Sequence, residues 1–234
     1  SQHQLATSIW GYTTAIAMFF VAILSLLLGP ISDYSASKKK FLAIFAGIGI
    51  TATSFLAFSG VGDWIWVAVL FILGNIGFAG SEVFYDSLLP HIARPEEIDR
   101  VSTKGYAFGY IGGGILLAVN VGMIWVLPKI TILPGGESVS LLGMRLSFLS
   151  VGLWWAFFSI PLFRNVPEPL GGKTTPTVGE NPFMVAGKRL YTTFRDIQRY
   201  KQLFIFIIAF WFYNDGIGTI IKMATAYGDE IGIG

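Results

Sequence analysis

Six separate apolar stretches, each long enough to cross a bilayer, limit this chain to one kind of fold. They cover residues 9–28, 41–60, 64–86, 105–127, 141–163 and 202–222. A helix needs about 20 mostly apolar residues to span the hydrocarbon core, and the first, second and fourth stretches hold no charged residue at all. Charged residues make up 13% of the chain, against roughly 25% in an ordinary soluble domain. The fold class predicted is all-α, a polytopic transmembrane helical bundle. Trp10, Trp64, Trp66 and Trp125 lie near span ends, where an aromatic belt would place them.

The loops alternate in basic content. Lys38, Lys39 and Lys40 follow the first span, and Arg94, Arg100 and Lys104 follow the third. Seven Lys and Arg residues from Arg164 to Lys201 follow the fifth, while the opposite side carries only Lys129 and Arg145. The positive-inside rule puts the basic loops in the cytoplasm. Both chain ends then fall on the other side, and the chain begins at Ser1 with no signal-peptide pattern. The expectation is a fragment with a span missing upstream.

The loop after the first span reads Gly29-Pro30-Ile31-Ser32-Asp33, then Lys38-Lys39-Lys40. Gly29-Pro30 is expected to end the helix. Asp33 can accept hydrogen bonds at a neighbouring helix N-terminus, and the lysines can sit at an anionic surface. This resembles the signature loop between helices two and three of the major facilitator superfamily, with Ala36 and Ser37 in place of the usual glycine and arginine. Further segments are similar to the vacuole-effluxer branch of that superfamily. They are Asn75-Ile76-Gly77-Phe78 leading to Phe84-Tyr85-Asp86, Pro95-Glu96-Glu97 leading to Gly105-Tyr106, Arg145-Leu146-Ser147-Phe148, and Tyr213-Asn214-Asp215-Gly216.

The resemblance implies a bacterial-type member of the branch and a chain covering helices two to seven of twelve. Residues 1–163 would be five spans of the N-terminal bundle, 164–201 a cytoplasmic linker, and 202–234 the first span of the C-terminal bundle. The fungal member is associated with amino-acid release from the vacuole. The implied location is the bacterial inner membrane, or the vacuolar membrane in a eukaryote.

Asp215 is the leading candidate for the solute or ion cavity. A carboxylate at membrane depth usually faces a bundle interior or a water-filled path, and Gly216 and Gly218 beside it are expected to interrupt the helix. The alternative is a solvated residue near the span end. Asn214 and Tyr213 join it, and Asn75 could touch solute or make an interhelical hydrogen bond. Lys222, two turns beyond Asp215, would draw a substrate carboxylate or snorkel to the interface.

Glu82 and Asp86 share one helix face. They are assigned with Gly29, Asp33, Lys38 and Lys39 to a cytoplasmic gate, in which the carboxylates would pair with Lys38, Arg100 or Lys104. Proton coupling and a water-solvated cluster are the other readings. Gly105, Gly109, Gly112 and Gly113 form a smooth face for helix–helix approach, either sliding or static. Residues 167–179 read as a flexible linker. After it, Asn181-Pro182 opens a basic amphipathic helix carrying Phe183, Leu190, Phe194 and Ile197.

No catalytic residue, metal site or cofactor is expected. The chain has no cysteine and only two histidines, His3 and His91, and no phosphate-binding loop or nucleophile elbow. Its basic residues are spread over membrane loops, so nucleic acid is not an expected partner. The expected partners are lipid, a small polar solute (with amino acids as the class the resemblance suggests, and a proton as a coupling ion) and the remaining half of the same transporter. The reading is a secondary transporter working by alternating access. A receptor or scaffold acting through the amphipathic loop, or a helical channel, are the alternatives.

Overall fold

Each apolar stretch satisfies its backbone within itself as an α-helix, and most helices run past the apolar residues by a turn or more. The computed structural model describes residues 2–34, 37–132, 138–169, 182–197 and 199–230. The order is α1 (Gln2–Tyr34), α2 (Lys38–Phe55) with a short 3-10 turn after it, α3 (Trp64–Ile92), α4 (Ile98–Val126), strands β1 (Thr131–Ile132) and β2 (Ser138–Val139), α5 (Leu141–Asn165), α6 (Pro182–Ile197) and α7 (Lys201–Glu230). Six of these helices are long and apolar enough to cross a membrane, α6 being the exception.

The bundle is organised around the crossing of α2 and α3. A Cβ at Gly77 would strike the Gly49 backbone nitrogen and Cα, and would lie 2.8 Å from the Phe45 carbonyl oxygen. A Cβ at Gly80 would run into the Phe45 ring. Backbones meet where side chains are absent, and dispersion then acts over the whole contact. Below the crossing, Phe41 and Phe45 stack on the fully buried Phe84 at 5.2 and 5.9 Å. Leu28, Leu42 and Leu88 complete that cluster, and Ala52, Leu56 and Leu70 form a second one.

α1 packs along α3, and α5 along α2. Gly152 gives α5 its close approach to Ser54, and Gly49 also makes room for the Trp155 indole. α4 leans on α5, where a Cβ at Gly143 would be 2.9 Å from Ile124 Cα, and it scarcely touches α3. That uneven support leaves a cleft between α3 and α4. α6 lies against α1, and Phe194 meets Phe204 of α7 edge-on at 6.5 Å.

Several helix boundaries differ from the sequence expectation. α1 does not stop at Gly29-Pro30 but continues to Tyr34. Proline can be accommodated in a helix at the loss of one hydrogen bond, as Pro90 in α3 and Pro161 in α5 also show. α7 is unbroken through Gly216 and Gly218. Each glycine costs about 1 kcal/mol against alanine but still donates its N–H, so the ladder holds. α6 begins at Pro182 as expected, whereas Asn181 and nearly all of the linker lie outside the described residues. The β1–β2 pair was not anticipated: Thr131 faces Val139 and Ile132 faces Ser138, and three of these four residues are β-branched, on either side of Pro134-Gly135-Gly136 in the sequence.

Both ends of the bundle are tied by polar contacts. At the lysine-rich end, Lys39 Nζ donates to the carbonyls of Phe163 (2.9 Å) and Val166 (2.5 Å) at the end of α5. The Lys39 backbone N–H in turn donates to the Glu168 carboxylate at 3.2 Å. A cation thus caps the C-terminus of α5 while an anion caps the N-terminus of α2, the favourable sign at each end. Lys38, almost buried, donates to the Ser87 carbonyl of α3 at 3.3 Å and lies 3.3 Å from His91 Nε2. At the other end Arg145 Nε donates to the Ser59 carbonyl at 3.1 Å.

Gly77→Ala is expected to lower the melting temperature of the detergent-solubilised protein, at an overpacking cost of about 1–3 kcal/mol. Gly47→Ala, on the same pair of helices but with nothing within 4 Å of its Cβ, should be neutral or stabilising by up to about 1 kcal/mol. Equal shifts for the two would contradict the crossing. Lys39→Met should cost about 2 kcal/mol through its lost charge-assisted bonds, with Lys39→Arg recovering most of it; an unchanged melting curve for Lys39→Met would show that the cap is idle.

Candidate functional site: a ring-lined cavity between four helices

Where α2, α3, α4 and α5 converge, the cleft left by α4 forms a cavity of about 700 Å³. α3 supplies Asn75, Phe78, Glu82 and Tyr85, spaced so that all four fall on one helix face. α5 supplies Trp154, Trp155 and Phe158, which sit mid-span rather than at a span end. α4 supplies mainly Gly109 and Gly113, where a Cβ would meet nothing within 4 Å. A second cavity of about 590 Å³ adjoins the first along Phe78, Glu82, Tyr85 and Gly109, and brings in Asp86, Tyr106 and Tyr110. Pockets that take small molecules span roughly 300–1,000 Å³ with few polar groups among apolar walls, and both cavities fall in that range.

The rings are held by local packing. Phe78 and Trp155 meet edge-on at 6.1 Å, and Trp154 and Phe158 contact at 4.6 Å. The Asn75 amide donates to the Phe71 carbonyl of its own helix at 2.8 Å. Opposite, Ser150 of α5 lies 2.8 Å from Asn120 Oδ1 of α4 and joins those two walls.

The residues predicted for the site separate into groups. Asn75 and Glu82 line the first cavity, and Glu82 and Asp86 line the second. Among the described residues neither carboxylate forms an ion pair: Arg100 pairs with Glu97 at 2.7 Å, and Lys38 turns to Ser87 and His91. The expected pairing of these carboxylates with Lys38, Arg100 or Lys104 is therefore not formed among the described residues; Arg100 is taken up by Glu97 just before α4, and Lys38 by Ser87 and His91 near the end of α3. Lys38 and Lys39 hold helix ends within this bundle.

Tyr213 and Asn214 are exposed on α7, which packs chiefly against α1 and α6, and neither lines a cavity described here. The side chains of Asp33, Asp215 and Lys222 lie outside the described residues, and Gly29 falls in the same stretch as Asp33. The glycine face of α4 makes no tight helix contact among the described residues. A Cβ at Gly105 would be 3.9 Å from the Tyr85 hydroxyl, one at Gly112 would be 3.7 Å from Trp154, and Gly109 and Gly113 face open space. The tight approaches belong instead to Gly49, Gly77, Gly80, Gly143 and Gly152.

Sequence reasoning gave no site role to Tyr85, Trp154, Trp155, Phe158, Tyr106 and Tyr110, although Tyr85 and Tyr106 fall in the segments similar to the family. A signal was present: Trp154 and Trp155 lie at the middle of a span, away from the interfacial belts that tryptophan favours.

The chain matches the model of the family described as "Vacuole effluxer Atg22 like" over residues 3–231. It is 37% identical over 229 residues to the "Uncharacterized MFS-type transporter YxiO" of Bacillus subtilis (strain 168), covering 98% of this chain and 52% of that protein. It is 24% identical to Autophagy-related protein 22-1 of Penicillium rubens, covering 92% of this chain and 46% of the relative. With Autophagy-related protein 22 of Kluyveromyces lactis the identity is 22%, over the same two shares. The chain thus spans about half the length of these relatives. No solved structure matches it. The family match along nearly the whole chain and the six membrane-length helices agree, and this chain is an integral, multi-pass membrane protein of the vacuole effluxer Atg22-like family.

Proposed function

We propose that this chain forms most of one bundle of a secondary transporter, which moves a small polar solute across a membrane by alternating access. The observation that carries the reading is the cavity between α2, α3, α4 and α5, which Asn75 and Glu82 line together with apolar side chains of membrane-length helices. Ionisable residues in such positions are costly and commonly mark solute or ion paths. The transporter name of the Bacillus relative supports a permease over an enzyme. Amino acids are the solute class that the family resemblance suggests, and a proton taken up by Glu82 or Asp86 would supply coupling. Asp215, Asn214 and Tyr213 on α7 would face the path once the second half of the protein is in place, and Gly29 and Asp33 would meet that half at the lysine-rich end.

The test is counterflow with the complete protein in proteoliposomes preloaded with amino acids. Saturable uptake stimulated by solute on the far side is expected, falling about tenfold or more in Asn75→Ala and Glu82→Gln if they touch the solute. Asp215→Asn should also lower uptake without loss of membrane insertion; unchanged flux would remove Asp215 from the mechanism. Solute-independent current would identify a channel, and the absence of any flux would favour a receptor or scaffold.

A further inference from the structure

The chemistry of the cavity wall narrows what can bind there, and this step rests on the cavity being the solute path proposed above. Among the described residues neither cavity is lined by a lysine, arginine or histidine. The carboxylates are Glu82 in the first and Glu82 with Asp86 in the second, and no ion pair among the described residues neutralises them. With Glu82, the first cavity is lined by Phe78, Tyr85, Trp154, Trp155 and Phe158. Aromatic faces attract a cation within about 6 Å of the ring centroid, tryptophan most strongly. A carboxylate without a counter-ion favours a cationic guest and opposes an anionic one. Gly109 and Gly113 leave the opposite wall without side chains, so a flat apolar body can lie against the α4 backbone.

We infer that the cavity recognises a protonated amine carried on an apolar or aromatic body, with Glu82 as counter-ion, the rings as a cation-binding cage and the α4 glycines as the seat of the body. A carboxylate on the same molecule finds no cationic partner among the described lining residues. The preferred ligands are therefore organic cations, and a free amino acid binds more weakly than the amine that lacks its carboxylate.

The experiment is a binding series on the complete protein in detergent, read by quenching of tryptophan fluorescence and by calorimetry. The probes are phenethylamine, phenylalanine and phenylacetate, which differ in charge on a common ring. Phenethylamine is expected to bind about tenfold or more tightly than phenylalanine, with phenylacetate failing to bind. Glu82→Gln should weaken phenethylamine by about tenfold or more. Gly113→Leu, which fills the cavity from the open side, should abolish its binding and provides a second route if Glu82→Gln does not fold. Phenylalanine or phenylacetate binding as tightly as the amine would overturn the inference, as would no amine binding at all or undiminished binding in both variants. Phenylalanine counterflow that is indifferent to Glu82 would overturn it while leaving the permease reading intact. Glu82-dependent amine binding without any flux would uphold the site and refute the permease.

Discussion

The contact between Gly49 and Gly77 is the constraint on which the rest of the bundle depends. In lipid there is little hydrophobic drive between helices, so association rests on how closely two surfaces fit. Two glycines opposite one another let the α2 and α3 backbones touch. Phe41 and Phe45 then reach Phe84, and Trp155 of α5 settles over the same Gly49. A side chain at Gly77 would push α3 off the α2 backbone, and one at Gly49 would displace the Trp155 ring of α5.

The same economy explains where empty space remains. α2 and α3 meet through their small residues and α5 packs on α2, while α4 packs mainly on α5 and touches α3 little. Its glycines face a cavity, and the mid-span rings of α5 close the other wall. Close packing on one side of α3 and an open cleft on the other are thus two results of one distribution of glycine. The carboxylate face of α3 points to the open side.

Much of this was legible in the sequence, and the parts that were not share a cause. Span number and approximate limits followed from apolar length, because lipid imposes that length on any helix that crosses it. The amphipathic α6 followed from Pro182 and the spacing of Phe183, Leu190, Phe194 and Ile197. Helix ends were harder. Gly29-Pro30 and Gly216 both look like stops, but a long helix keeps enough hydrogen bonds to absorb them. Partner choice was least legible. The evenly spaced glycines of α4 read as the face for close helix approach, while the tight contact uses Gly49 and Gly77. Glu82 could be named from sequence, but not the rings from another helix that share its cavity.

The exchange of caps between Lys39 and Glu168 has a mechanical consequence. Glu168 stands just before residues 170–181 and is bonded to the first turn of α2, while Lys39 holds the last carbonyls of α5. A pull arriving along the chain from α6 and α7 therefore meets two helices joined crosswise. Tension on that strand is shared between them instead of peeling α5 away. Lys38 extends the same anchorage to α3 through Ser87. The three helices that wall the cavity on its well-packed side would then turn as one body, and any change in the cavity's shape falls to α4, the wall with the fewest attachments.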